Sequence, residues 1–190
     1  PELEAGDYLI KLIKGKDTLS TKLTINNNPD VNHSAADRQL RRESLLKAYN
    51  LLEELAYVDY QAIEIRKQTL ALADSVKNKG LRANSFKYAD KMAAMHEKIS
   101  ATQPGEGGVA GQIRLREKIA EVYSAIGSYE GKPTDLQLAA LSVYVDAVKA
   151  MQSELDTLIK GDLANYNAGI VRAGLQPVKV SDKATFMQSK

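Results

Sequence analysis

The chain has 190 residues, 44% of them hydrophobic, which is enough for one substantial core. Its 26 Lys and Arg stand against 24 Asp and Glu, and the net charge of +2 gives no electrostatic case for nucleic acid or an anionic membrane as the main partner. Cysteine is absent, so disulfides, thiolate metal sites and a cysteine nucleophile are excluded while the compartment stays open.

The chain opens at Pro1, without a Met, and runs directly into strand-like sequence, which reads as a piece of something longer or a processed product. No run approaches the roughly 18 apolar residues that cross a bilayer, and no basic segment followed by an apolar stretch stands at the start, so any export signal would lie upstream. Tyr8, Ile10 and Leu12 alternate with other residues, Lys14-Gly15-Lys16-Asp17 makes a turn, and Leu19, Thr21, Leu23 and Ile25 alternate again. That pattern predicts a β-hairpin within residues 1–28. Leu3-Glu4-Ala5-Gly6-Asp7-Tyr8 has the Leu-x-x-Gly-x-Tyr form that leads into a tyrosine corner, so the hairpin reads as the last strands of an immunoglobulin-like sandwich.

Asn28-Pro29-Asp30 ends the hairpin, and Ser34 with Asp37 forms a capping box for a long helix. Residues 34–79 contain neither Gly nor Pro. Leu51, Leu55, Val58, Ala62, Ile65, Thr69, Leu72 and Val76 alternate steps of four and three, the spacing of a buried helical stripe. Leu45, Tyr49, Leu52, Ala56, Ile63 and Leu70 form a second stripe beside it. This is a spine roughly 65 Å long at 1.5 Å per residue.

Asn78 to Gly80 reads as its stop, and Asn84 as the cap of a second helix of roughly 17 residues carrying Phe86, Ala89, Met92, Ala93, His96 and Ile99. Gln103 to Gly111 is a Gly-rich connector. Leu115, Ile119, Val122 and Ile126 mark a third helix ending near Gly127, and Thr134 with Gln137 boxes the start of a long fourth helix, apolar on one face from Leu141 to Ile170 and open to a kink at Gly161. The expected fold is mainly α, an up-down four-helix bundle with two long and two short helices, preceded by the β-hairpin. Residues 29–175 form the bundle and 176–190 an extended tail. The long first and fourth helices are expected to run antiparallel, with the hairpin covering the seam that the short pair cannot reach.

The chemistry on offer is sparse. His33 reads as a turn residue and His96 as a partly buried structural histidine, and neither has a partner at metal-ligand spacing. Gly105 to Gly111 lacks the strand before it and the Gly-Lys-Ser/Thr ending that a phosphate loop needs. Arg38, Arg41 and Arg42 read as a solvated helix face beside Asp37 and Glu43. Tyr49, Tyr57, Tyr60, Tyr123, Tyr129, Tyr144 and Tyr166 lie mostly on or beside apolar stripes, as core tyrosines with a wet hydroxyl. Asp59 and Arg66 sit seven residues apart on the second stripe, where charges are costly unless paired or at an edge. With Tyr49 and Tyr166 they are the candidate interaction residues. No catalytic, metal-binding or cofactor-binding residue is expected, and no turnover of glycosides, esters, phosphates or peptides.

The order of parts carries a family resemblance. Gly6-Asp7-Tyr8-Leu9-Ile10-Lys11-Leu12, the Asn28-Pro29-Asp30 exit, Ile65-Arg66 in mid-spine, the Pro133-Thr134 helix start, Asp162-Leu163-Ala164-Asn165-Tyr166-Asn167, and Ala173-Gly174-Leu175-Gln176-Pro177-Val178 together resemble the C-terminal region of bacterial sortilin-like, glycosyl-hydrolase-like β-propeller proteins. That resemblance implies a large upstream propeller, then an immunoglobulin-like segment, then a helical tail, in an exported protein. The Asp-box turns of such propellers, Ser-x-Asp-x-Gly-x-Thr-Trp, do not occur here, and there is no Trp at all, so no catalytic position carries over. The expected function is a non-catalytic helical accessory or interaction domain whose partners are upstream domains of its own chain or another protein, with no nucleic acid, membrane insertion or small-molecule ligand. A domain that shapes the substrate site of a hydrolase-like enzyme and a stand-alone coiled-coil adaptor or oligomeriser are the alternatives.

Overall fold

The computed structural model describes residues 3, 5–31, 33–101 and 113–188. Two strands, β1 (Gly6–Lys14) and β2 (Asp17–Ile25), are followed by α1 (Ala35–Ser75), α2 (Lys79–Ile99), α3 (Leu115–Gly127) and α4 (Asp135–Leu158). A π-helical turn (Ile159–Leu163) joins α4 to α5 (Ala164–Arg172), and a short α6 (Lys183–Gln188) ends the described chain. The fold is mainly helical. The Gly-rich connector expected at residues 103–111 lies outside the described residues.

The long spine exists because its start is capped and its stripe is buried. The Ser34 side chain accepts the Asp37 backbone N–H at 3.0 Å, as an N-cap should. Leu45, Ala48, Leu51, Leu55, Val58, Ala62, Ile65, Thr69 and Ala73 are buried at steps of three and four, and the helix runs unbroken past Asp59. The second stripe is only its flank: Leu45 is buried, Leu52 packs at the edge, and Tyr49 and Ile63 are exposed.

Helix α2 begins earlier than the sequence suggests. The Asn78 side chain, not that of Asn84, caps it by accepting the Leu81 N–H at 3.0 Å. One short turn therefore ends α1 and starts α2, and Gly80 lies in the first turn rather than after a stop.

The helix packing differs from the expected up-down four-helix bundle. Asp59 in mid-spine meets His96 and Ser100 at the end of α2, and Arg41 near the spine's start meets the end of α3, so both short helices run antiparallel to α1. They lie end to end rather than side by side. Glu117 joins them, its carboxylate accepting the N–H of Ala101 at 3.2 Å and of Arg114 at 3.1 Å. Desolvation pushes the Glu117 carboxyl up, but the Arg114 N–H and the Arg116 side chain outweigh it and hold the group below its usual range. The chain then returns to the spine's start, where Gly131 sits against His33. From there α4 and α5 run parallel to α1 and antiparallel to α2: Glu154 pairs with Lys98, Asp162 with Lys91, and Tyr166 with Ser85. The first and fourth helices are thus parallel, not antiparallel. Three rows of similar length bury one another, because two short helices placed in series span the spine that a side-by-side pair would half cover.

Arg41 is the clasp of this arrangement. It donates to the carbonyls of Tyr129 at 2.6 Å, Gly127 at 3.1 Å and Ile126 at 3.3 Å, placing a cation where a helix C-terminus needs one. Arg38 bonds the His33 carbonyl. The expected solvated arginine face is therefore two half-buried clasps.

The kink expected at Gly161 is a π turn, and the repeat explains it. Leu141, Val148 and Leu155 are buried at steps of seven, but the next buried residue is Leu163, one position late, with Asp162 where the repeat would fall. The wide turn absorbs the extra residue and keeps Leu163, Tyr166 and Ile170 in the core.

The hairpin forms in the register Gly6↔Ile25 to Lys14↔Asp17, with Gly15 at φ +63° opening the two-residue loop. It does not cover the bundle. Along both strands only Tyr8 and Ile25 are half-buried, and every other residue is exposed. The proximal half of α1 is covered by α3 instead, whose last carbonyls Arg41 meets. The tail also differs from an extended segment: it turns helical at Lys183, and Phe186 buries itself against α1.

Candidate functional site

The four candidate interaction residues come to rest in separate places. Asp59 is nearly buried and its Oδ1 lies 2.6 Å from His96 Nδ1, with Ser100 Oγ 3.4 Å from its other oxygen. Arg66 lies exposed two turns further along, so the charges on the stripe do not form one pair. Asp59 is instead paired with the histidine of α2. Tyr49 is exposed on the flank of α1. Tyr166 is buried. Its ring stacks on Tyr88 at 6.0 Å, with planes 5° apart.

The Ser85 hydroxyl donates to the Leu81 carbonyl at 3.0 Å, so the Tyr166 hydroxyl is the donor in its 2.7 Å contact with Ser85. Tyr88 donates to the Leu158 carbonyl at 3.2 Å, just ahead of the π turn. Burial pushes both phenols up, with Asp162 adding to the effect at Tyr88 and the Ser85 bond opposing it at Tyr166. They are neutral at physiological pH and committed to partners. Ser85→Ala should cost about 1–3 kcal/mol by stranding the Tyr166 hydroxyl, and adding Tyr166→Phe should recover most of that loss. Urea midpoints of the two single variants and the double variant read the coupling.

These tyrosines floor a groove of about 330 Å³ between α2 and α5. Lys91 and Asp162 pair across it, with Lys87, Asn84, Asn165 and Arg172 at its rim. The groove holds one ion pair and no activated nucleophile beside a base, so it offers polar contact rather than acid-base chemistry. Among the described residues no group of three His, Asp or Glu is placed to hold a metal ion.

A second hollow of about 440 Å³ lies where the hairpin leaves the bundle, walled by Ile25, Asn27, Arg38, Arg42, Leu45 and Glu130. Above it stands the hairpin. Cross-strand partners share a face, so Tyr8 with Leu23, Ile10 beside Thr21, and Leu12 with Leu19 form one apolar face that ends at Lys14 with Asp17, while the other mixes Leu9 and Ile13 with Asp7, Lys11, Lys22 and Thr24. Ile10 is 46% exposed, Leu12 64%, Leu19 69% and Leu23 39%, and among the described residues no third strand pairs with either edge of the two-stranded sheet. The alternation announced this face in the sequence. Its exposure could not be read there, because an apolar stripe states a need for cover and not what supplies it.

No protein-family model, curated protein or solved structure matches this chain. Among the described residues no helix is long and apolar enough to cross a membrane.

Proposed function

We propose that this chain is a non-catalytic helical accessory domain, which docks through its hairpin onto a neighbouring β-structured domain and braces it with the helical rows. The reading rests on one observation: the apolar hairpin face is exposed beside a bundle that is already closed. A two-stranded hairpin is marginal in water, whereas three or more strands with a covered face are stable. Open edges on such a hairpin are templates for further strands. With the resemblance to sortilin-like, glycosyl-hydrolase-like propeller proteins, this favours a place at the C-terminal end of an exported β-propeller protein, after an immunoglobulin-like segment that the hairpin completes. Any glycoside chemistry would belong to the propeller.

The coding sequence ahead of Pro1 tests this directly. The expected result is a frame that continues into strand-rich sequence with Asp-box repeats behind an export leader. A frame that encodes no β domain would overturn the reading and favour the coiled-coil adaptor.

A further inference from the structure

After α5 the chain turns at Gly174, where φ is +75°, and runs back along the bundle as an extended strap before ending in α6. The way α1 and α5 hold this strap is the way a protein holds a peptide. Asn167 of α5 accepts the Val178 N–H at 2.9 Å and donates to the carbonyl of the same residue at 2.9 Å. Gln68 of α1 does the same for Lys179, accepting its N–H at 2.8 Å and donating to its carbonyl at 2.9 Å. Each side-chain amide exchanges both bonds with one residue, as a hydrogen-bonded neighbour in an antiparallel sheet would. Two successive residues of an extended chain face opposite ways, and here one turns to each helix.

Further along, Tyr57 and Gln61 both donate to the Ser181 carbonyl, at 3.1 Å and 2.9 Å. Asp182 then caps α6 by accepting the Thr185 N–H at 2.8 Å. That turn drives Phe186 between Tyr57 and Tyr60, with ring centroids 5.5 Å and 5.3 Å apart. Every polar contact in this set is made to strap backbone. Side-chain selectivity is left to the two buried strap residues, Val178 and Phe186.

We propose that the α1/α5 groove is a peptide-docking site, filled in cis by the chain's own strap and able to take the strap of a second copy in trans. The second copy is the favoured occupant because it carries the one segment whose fit is on view, with Val178 and Phe186 at the right separation. A single turn at Gly174 decides which groove the strap enters. Exchange across a two-fold axis would reproduce every contact without new surface.

The probe is a labelled synthetic peptide with the sequence of residues 175–188, titrated against the full chain. In the wild type the tethered strap competes at an effective concentration in the millimolar range. Phe186→Ala in the full chain weakens that competitor, so the peptide should bind this variant at least about tenfold more tightly than the wild type. Val178→Ala should act the same way, and circular dichroism checks that both remain helical. Adding Gln68→Ala and Asn167→Ala to the Phe186→Ala chain should abolish the binding. A folded Phe186→Ala chain that ignores the peptide, or binding indifferent to Gln68 and Asn167, would overturn the docking site. Gly174→Val strains the turn while keeping groove and strap, and should form a dimer at a concentration where the wild type is monomeric by light scattering. A Gly174→Val chain that stays monomeric would overturn the exchange between copies.

Discussion

Deleting Gly161 should leave the fold standing, and inserting one alanine at the same place should not. The deletion restores an unbroken seven-residue repeat, since the residue following Leu155 in the core would then stand seven positions on rather than eight. The π turn relaxes to ordinary helix, and Leu163, Tyr166 and Ile170 keep their places. Loss of a helix-interior glycine is itself worth about 1 kcal/mol. An insertion adds a second residue to a turn that already absorbs one, and rotates those three side chains about 100° away from the core. At roughly 1.5–3 kcal/mol for each buried side chain, about 5–9 kcal/mol is at stake, enough to melt the distal end. Thermal unfolding followed by circular dichroism should show one cooperative transition for the deletion, and loss of α5 signal for the insertion.

Replacing Arg41 by Met should destabilise the chain by about 2–3 kcal/mol while keeping most of the side chain's apolar packing. The cost is the loss of a charged donor from the carbonyls of Ile126, Gly127 and Tyr129 at the α3 terminus. Arg41→Lys should recover only part of it, because a point charge cannot fork across several acceptors. The same variant reports on topology. Faster amide exchange in α3 after a change in α1 requires that the two termini meet, as they do when α2 and α3 lie in series. Denaturant midpoints and exchange at residues 119–127 measure the two effects.

What the sequence disclosed about this fold was periodicity and punctuation. Seven of the eight residues in the stripe from Leu51 to Val76 are buried, with Leu72 at the edge, while Ala48 and Ala73 join that face unannounced, and Ser34 and Thr134 cap the helices whose starts they mark. Gly161 announced a break, though the step from Leu155 to Leu163 is what defined its kind. Partner choice was not legible. A stripe states which face is buried and not against which helix, so two short helices in series and two side by side leave nearly the same pattern.

The interaction surfaces were legible to the degree that they are apolar. The hairpin face could be read from its alternation, and its fate could not. The Asp59–His96 contact joins residues on different helices, and its only sequence traces are a charge on a packing seam and, 37 residues away, a histidine that reads as partly buried and structural. Gln68 and Asn167 left no trace at all, because an amide that reads backbone is indistinguishable in sequence from a solvated one. Phe186 was the missed signal: one of two phenylalanines in the chain, in a tail otherwise polar.

The central claim is that the helical rows are complete in themselves while the hairpin waits for a neighbour, and amide hydrogen exchange on the 190-residue chain tests it most directly. The account predicts that β1 and β2 exchange at least about a hundredfold faster than the core of α1, and that removing residues 1–26 leaves protection in α1, α4 and α5 unchanged. Protection of the hairpin equal to that of α1, or its loss from the helices when the hairpin is removed, would contradict it.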